Sequence, residues 1–118
     1  MTKDDYDVLV FKILTYLYAY LKGKAFYDPD VVEKTIFQGV NEPYRAYILR
    51  HMADDDLIEG YRYTHAWGNV YISLTDLSEC QIAPAGITFL KENSSMKRVL
   101  SALQESGDVT VSLFRLII

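Results

Sequence analysis

The side chains best suited to contact another molecule are concentrated in one predicted helix over residues 41–56. Several are long hydrogen-bond donors, and the others are aromatic rings with a polar end. Such side chains reach the base edges and phosphates of a nucleic acid. The sequence therefore predicts a nucleic-acid contact in the N-terminal half of this helix, formed by Tyr44, Arg45, Tyr47, Arg50 and His51.

A second group of candidate contact residues lies on a predicted hairpin over residues 57–75. Arg62 and Trp67 are placed so that they could follow a phosphate backbone or enter a minor groove. We therefore include both in the predicted nucleic-acid contact. A tryptophan at a turn can instead fold over its own hairpin, and the sequence leaves this alternative open.

The charge balance opposes a general affinity for nucleic acid. The chain has 12 basic and 16 acidic side chains, which gives a net charge of −4, and residues 54–56 at the end of the predicted helix are all aspartate. Non-specific binding to DNA depends on neutralised phosphates, which negative charge repels. The same helix is thus also consistent with a solvated surface, or with a protein contact, for which tyrosine is well suited.

No residue constellation in the sequence is typical of an enzyme. There is no Gly-rich phosphate loop, no nucleophile elbow and no pair of carboxylates on a shared buried face. His51, His65 and Cys80 do not have the spacing of metal ligands, and zinc sites usually need four. We expect a non-enzymatic protein with no metal and no cofactor.

The predicted elements that position these residues have the order of a winged helix-turn-helix. Asn41-Glu42-Pro43 places a capping residue, an acid and a proline at a helix start. Gly39-Val40 before it is a tight turn typical of a helix-turn-helix pair. Residues 57–75 then alternate as a wing hairpin, and residues 84–106 form further helices. The sequence predicts a single α+β domain over residues 1–118, mostly helical, with a two- or three-stranded antiparallel wing.

The register of the wing depends on its turn. A two-residue turn at Gly68-Asn69 is typical of a tight hairpin. It predicts three cross-strand pairs, which are Trp67 with Val70, His65 with Ile72, and Tyr63 with Leu74.

The first helix and the C-terminal tail are the predicted dimer contacts. Phe11 and Tyr18 lie just beyond the core stripe of the first helix, where they form either a widened core or a self-association face. The tail over residues 108–118 fits a strand or a helix. It ends with Leu116, Ile117 and Ile118, an apolar segment that a partner chain would cover.

At Leu57-Ile58-Glu59-Gly60, and again over residues 81–94, the sequence resembles the YjcQ-like family of small winged-helix proteins from Gram-positive bacteria and their phages. The resemblance runs from about residue 8 to residue 103 and is most specific over residues 82–96. Two residues depart from the family pattern: Ala83 replaces a capping threonine, and Arg45 replaces an apolar residue on the inward side of the third helix. The resemblance implies a winged-helix fold and DNA binding. Members largely lack an assigned activity, so it implies no catalytic residue.

Cysteine usage and hydropathy predict a cytoplasmic protein. The chain has one cysteine, no charged-then-apolar leader precedes the first helix, and no apolar run reaches the roughly 18 residues that cross a bilayer. We expect no membrane association.

Three functional hypotheses follow from these observations. The first is a DNA-binding transcriptional regulator of bacterial or phage origin that binds double-stranded DNA as a homodimer. The second is a protein-interaction module on a winged-helix scaffold without DNA binding. The third is a small-molecule sensor with an aromatic pocket between protomers, lined by Phe11, Tyr18 or Tyr20. A positive stripe joining the third helix to the wing would favour the first, and a negative or neutral surface would favour the second.

Overall fold

The computed structural model describes residues 5–118, so the first four residues of the expected domain lie outside the described residues. The helices in this range are α1 (Tyr6–Leu21), α2 (Pro29–Thr35), α3 (Glu42–Asp54), α4 (Pro84–Glu92), α5 (Ser94–Ser106) and α6 (Val109–Ile117). The strands are β1 (Ile58–Glu59), β2 (Tyr63–His65), β3 (Tyr71–Ser73) and β4 (Gln81–Ile82). The fold is α+β and winged-helix-like, as the sequence predicts. α2 and α3 form the helix-turn-helix pair, and β2 and β3 lie in the wing, which we define as residues 62–74 because the Leu74 N–H also donates to the Arg62 carbonyl.

Helix α1 is the centre of the hydrophobic core. It packs against α3, α4, α5, α6 and β4, and all residues from 8 to 17 are buried. A helix that is apolar nearly all round is one that other elements surround. Phe11 is 0% exposed, and its ring centroid lies 5.2 Å from that of Phe114 on α6. The assignment of Phe11 to a dimer face is therefore wrong, and the widened core stripe is correct.

The C-terminal tail is a helix, which decides between the two structures that the sequence leaves open. The carboxylate of Asp108 caps it by accepting a hydrogen bond from the Thr110 N–H at 2.9 Å. Val111, Phe114 and Ile117 recur every three residues and are buried, and α6 packs against α1. One side of the apolar tail is thus covered by its own chain.

This packing also changes the predicted dimer contact. Ile117 is buried in the core of its own protomer, and its carbonyl accepts a hydrogen bond from Lys22 Nζ at 2.7 Å. Tyr18 is half-buried, with Lys22 Nζ 4.9 Å from its ring centroid. Of the expected tail contacts, Leu116 and Ile118 are the ones that lie on the surface.

The helix-turn-helix pair forms as the capping residues predict. The Asn41 side chain accepts a hydrogen bond from the Tyr44 N–H at 2.9 Å, and a proline occupies the first turn of α3. Gly39 in the preceding turn has a φ of +77°, a conformation that costs glycine little. Helix α3 ends at Asp54, and Asp56 adopts a left-handed conformation with φ +60°. Aspartate is among the few non-glycine residues that tolerate this region.

The segment predicted as one strand before the wing turn is two strands. Gly60, with φ +85°, interrupts it, and a Cβ there would lie 2.4 Å from the Glu79 carbonyl oxygen. Strand β1 pairs with β4, with Ile58 opposite Ile82, and β2 pairs with β3. Within the expected 57–75 hairpin, β2 and β3 pair with each other, whereas β1 pairs with a strand outside it.

Two of the three predicted cross-strand pairs of the wing, His65 with Ile72 and Tyr63 with Leu74, are wrong by one residue. The observed pairs are Tyr63 with Ser73, Thr64 with Ile72, and His65 with Tyr71. The predicted turn at Gly68-Asn69 does close, because the Val70 N–H donates to the Trp67 carbonyl at 2.9 Å, but the Ala66 N–H also donates to the Val70 carbonyl at 2.9 Å. Ala66 and Trp67 therefore both lie opposite Val70, and this extra residue shifts the register by one. A one-residue shift moves every side chain of a strand to the opposite face.

Candidate interaction surface of α3 and the wing

Arg45 is held inside the helix-turn-helix unit. Its two Nη atoms donate to the carboxylate oxygens of Glu33 on α2 at 2.5 and 2.6 Å, and its Nε donates to the Val40 carbonyl at 3.1 Å. Its guanidinium also lies 4.7 Å from the centroid of the Phe37 ring. The hydrogen bond between the two groups lowers the pKa of Glu33 and raises the pKa of Arg45. This side chain therefore ties α2 to α3, and a nucleic-acid contact of Arg45, which stays a prediction, would compete with these bonds.

Three other predicted α3 contacts form an aromatic row. Tyr44, Tyr47 and His51 follow each other at three- and four-residue steps, which places them on one helix face. The Tyr47 ring centroid lies 6.3 Å from that of Tyr44 and 4.4 Å from that of His51. On its other side, Tyr47 meets Tyr6 of α1 edge to face at 6.3 Å. Tyr47 is exposed, so this row presents an aromatic ring to solvent.

Arg50 connects α3 to the wing. The guanidinium carbon lies 4.0 Å from the centroid of the Tyr71 ring on β3 and 5.8 Å from that of Tyr47. These distances are typical of cation–π contacts. Its Nε is buried and has no hydrogen-bond partner among the residues that the structure describes. No carboxylate among the described residues makes an ion pair with Arg50, so its positive charge is not balanced by a direct partner there.

The two predicted wing contacts lie apart from this row. Trp67 is at the tip of the wing and is 79% exposed, so it does not fold over the hairpin. Arg62 precedes β2 and is exposed, and its backbone N–H donates to Thr75 Oγ1 at 3.0 Å. Arg62 shares the side of the hairpin that faces away from α3 with Thr64, two residues on. The structure therefore separates Arg62 from Arg50 instead of joining them in one positive stripe.

The inner and outer faces of the wing differ in character. On the inner face, Tyr71 stacks under Arg50, and the Tyr63 hydroxyl donates to Asp54 of α3 at 3.1 Å. That hydrogen bond to a carboxylate raises the pKa of Tyr63. The outer face is apolar and solvent-exposed, and we define it by Val70, Ile72 and Leu74, which are 48%, 50% and 54% exposed.

Sequence reasoning missed the outer wing face, although its signal is present. The alternation of Val70, Ile72 and Leu74 is visible in the sequence. The predicted register pairs Ile72 with His65 and Leu74 with Tyr63, which would place them on the inner side. The extra residue before the turn shifts the register by one and turns them outward.

A groove separates α3 from the neighbouring strand of the wing, and we call it the edge groove. It has a volume of about 320 Å³. One wall is residues 69–73 of the wing, and the other is a single stripe of α3. That stripe consists of Glu42, Pro43, Ala46, Tyr47 and Arg50.

The electrostatic balance of this region is negative. Residues 41–75 contain five carboxylates and three arginines, and one of the arginines, Arg45, is paired with Glu33. Asp54, Asp55 and Asp56 are all exposed at the C-terminal end of α3. Carboxylates at that end oppose the helix dipole and repel phosphates.

A second and larger cavity, of about 570 Å³, lies beside α1 and is lined by Tyr20, Tyr27, Glu59, Glu79 and Cys80 among others. Burial raises the pKa of Tyr20 to about 12 and that of the Cys80 thiol to about 11. Both groups therefore remain protonated at neutral pH, and Cys80 is a poor nucleophile. Tyr20 lines this cavity within a single protomer, whereas Phe11 is buried and cannot line a pocket between protomers.

Within residues 5–118, no group of three or more His, Cys, Asp or Glu side chains is arranged to hold a metal ion. None of the helices in the same range is both long enough and apolar enough to span a bilayer.

Comparison with known proteins gives one match. The model of a family described as YjcQ protein matches residues 11–109. No curated protein and no solved structure matches the chain.

Proposed function

The chain belongs to the YjcQ family, and we propose that it is a non-enzymatic winged-helix protein that binds another protein through α3 and the wing. The outer wing face is the observation that carries this proposal. Val70, Ile72 and Leu74 are each about half exposed. Trp67, at the tip of the wing, is 79% exposed and adds a further apolar side chain. Adjacent exposed apolar side chains on a folded domain mark a protein contact, and tryptophan is enriched in the energetically important part of such contacts.

The charges of the same region support a protein partner over DNA. A DNA-binding surface gains most of its affinity from arginine and lysine on phosphates. Here the excess of carboxylates over residues 41–75 repels phosphates, and Arg45 is engaged with Glu33. Arg50 and Arg62 lie on opposite sides of the wing hairpin, so they do not form a continuous positive track.

DNA binding and transcriptional regulation form the second candidate function, which one observation favours. Helix α3 occupies the place of a recognition helix, and its exposed side carries Tyr47 and Arg50. In that case the N-terminal half of α3 would contact DNA, away from the aspartates at its C-terminal end.

Two parallel selections, one with peptides and one with DNA, test the proposal. The purified chain is panned against a display library of linear peptides and, separately, against a randomised pool of DNA duplexes at low salt. We expect peptides to be enriched and duplexes not to be. Ile72→Thr removes apolar surface and keeps a β-branched side chain on the strand, so it should reduce peptide retention about tenfold without unfolding the wing.

Val109→Thr is the matched control, because it makes the same kind of change at an exposed apolar residue on α6. Thermal unfolding confirms that both variants are folded. Enrichment of duplexes that Arg50→Ala abolishes, with no peptide enriched, would overturn the proposal in favour of DNA.

A further inference from the structure

One edge of strand β3 has no partner strand in the part of the chain that the structure describes. The sheet containing β2 and β3 has two strands. The Leu74 N–H donates to the Arg62 carbonyl at 2.8 Å, and the Ala66 N–H donates to the Val70 carbonyl at 2.9 Å. In an antiparallel pair these bonds alternate, so Val70, Ile72 and Leu74 direct their main-chain groups towards β2. The main-chain groups of Tyr71 and Ser73 therefore point away from β2.

The unpaired edge borders the edge groove. Consecutive residues 69–73 line it, which indicates that the groove runs along the strand and not across one of its faces. The opposite wall, between Glu42 and Arg50, is one side of α3. A groove between a strand edge and a helix is the geometry in which proteins add an extended peptide to a sheet. The volume of about 320 Å³ lies at the lower end of cavities that hold ligands.

Arg50 indicates the charge of the occupant. Its guanidinium is fixed by stacking on Tyr71, and its buried Nε has no partner among the described residues. No carboxylate in residues 5–118 makes an ion pair with it. Arg50 as a whole is only partly buried, and a carboxylate is the best partner for a guanidinium held in place without a counter-ion.

The other end of the groove has the opposite charge. Glu42 lies eight residues before Arg50 on α3, which corresponds to about 12 Å along the helix axis. Four residues of an extended strand cover about 13 Å, and side chains four apart lie on the same face of a strand. One extended segment can therefore reach both charges with side chains of opposite sign.

We propose that the edge groove binds an extended peptide segment that adds to β3 as a third strand of the wing, with an acidic side chain on Arg50 and a basic side chain four residues away on Glu42. This inference rests on the proposed function, because it names the kind of partner that the α3 and wing region binds. The main-chain groups of Tyr71 and Ser73 supply the strand pairing, and the two charges set the direction and the sequence preference of the peptide.

The charge pattern is tested with a display library of random octapeptides. The wild-type chain should enrich peptides with an acidic and a basic residue four apart. Arg50→Gln should weaken binding of a selected peptide at least tenfold, because a charged hydrogen bond to the peptide is lost. The double variant Glu42→Arg with Arg50→Glu should enrich peptides in which the acidic and basic residues have exchanged places. If both chains enrich the same pattern, the charge assignment is overturned.

The strand pairing is tested with the same selected peptide. Ser73→Pro removes the outward N–H at a position that does not bond to β2, and Ser73→Ala loses the same hydroxyl contact with Tyr61 but keeps the N–H. Binding should be lost with proline and kept with alanine, and the Tyr71 and Ser73 amides should become protected from hydrogen exchange when peptide is bound. Thermal unfolding shows whether Ser73→Pro is folded, and the exchange measurement on the wild-type chain decides the point if it is not.

The outcomes distinguish failure of the groove proposal from failure of the proposed function. Peptide binding that Ile72→Thr abolishes, but that Arg50→Gln and Ser73→Pro leave unchanged, would place the peptide on the outer wing face and overturn the groove alone. No peptide enriched at all would overturn both the groove and the proposed function. Enrichment of a segment of this chain, with dimers in light scattering, would identify a second copy as the occupant and overturn the foreign peptide.

Discussion

Arg45 and Arg50 lie five residues apart on α3, and each stacks on an aromatic ring, but their charges are balanced differently. Arg45 on Phe37 has a bidentate carboxylate partner and two backbone carbonyls. Arg50 on Tyr71 has no carboxylate partner among residues 5–118, and its Nε is buried. Arg45 is thus engaged within the helix-turn-helix, whereas the charge of Arg50 has no carboxylate partner among the described residues. The two residues therefore have different environments although both are arginines on the same helix.

Replacement of Arg45 tests the structural half of this contrast. Arg45→Ala removes the ion pair across the helix-turn-helix and leaves the Val40 carbonyl without its charged donor. We expect the free energy of unfolding in urea to fall by about 2 kcal/mol. Glu33→Gln, which keeps a hydrogen-bond acceptor on an exposed side chain, should cost less than about 1 kcal/mol. An unchanged urea midpoint for Arg45→Ala would contradict the assignment and make Arg45 available for binding.

At the scale of elements, the wing shows the limit of sequence reasoning. Helix α3 could be predicted because Asn41 and Pro43 are local signals that act within one turn. The wing register could not, because the turn at Gly68-Asn69 gives no local sign of the extra residue before it, where Ala66 and Trp67 both lie opposite Val70. The tail was ambiguous for a similar reason: its β-branched residues favour a strand locally, and packing on α1 selects a helix.

The candidate site was predicted only in part. Tyr44, Tyr47, Arg50 and His51 do lie together on the accessible side of α3 or at its border with the wing. Arg45 could not be separated from them by composition, because its partner Glu33 lies on another helix. Similarly, Phe11 at the edge of a helical stripe has the pattern of a surface residue until α6 is known to cover it.

Gly86 and Gly107 are required for two different reasons. Gly86 has no space for a Cβ, whereas Gly107 has a backbone conformation that other residues rarely adopt. At Gly86 in α4, a Cβ would lie 2.1 Å from the Leu57 carbonyl oxygen, so the helix must move. At Gly107, which ends α5 with φ +72°, a Cβ would meet nothing within 4 Å. Gly86→Ala should therefore lower the free energy of unfolding by about 3 kcal/mol, and Gly107→Ala by about 1 kcal/mol. Urea unfolding of both variants measures the difference, and equal costs would show that α4 adjusts without loss.

At the scale of the whole molecule, the core and the candidate surface are at different places. α1 is surrounded by α3 to α6, and α6 closes the side that a dimer was expected to cover. A stable protein interface buries about 800 Å² on each partner. Leu116 and Ile118, the tail side chains left on the surface, are too few for that area. A separate group of adjacent exposed apolar side chains, Val70, Ile72 and Leu74, lies on the wing.

The contact between α1 and α6 is closed by a buried ion pair, which makes global stability depend on pH. Lys12 Nζ lies 3.3 Å from Asp108 Oδ2, and Lys12 is almost fully buried. Burial alone would raise the pKa of Asp108, but the hydrogen bond from the Thr110 N–H and the Lys12 ammonium together lower it below its ordinary value. An aspartate in the unfolded chain titrates near pH 4, so between that pH and the lower folded value the unfolded chain binds more protons. The stabilisation by Asp108 is thus complete above about pH 5 and is lost as the pH falls through the folded pKa.

Asp108→Asn should remove this stabilisation while keeping a side chain that can cap α6, because asparagine is an equally good capping residue. At pH 7 we expect a loss of about 3 kcal/mol, since Lys12 is left as a buried charge without its partner. The difference in urea midpoint between wild type and variant should shrink as the pH is lowered towards 2, because protonated Asp108 resembles asparagine. Adding Lys12→Met removes the unpaired charge, so the double variant should be more stable than Asp108→Asn alone. A wild-type advantage that stays constant from pH 7 to pH 2 would show that the ion pair does not hold α6 on α1.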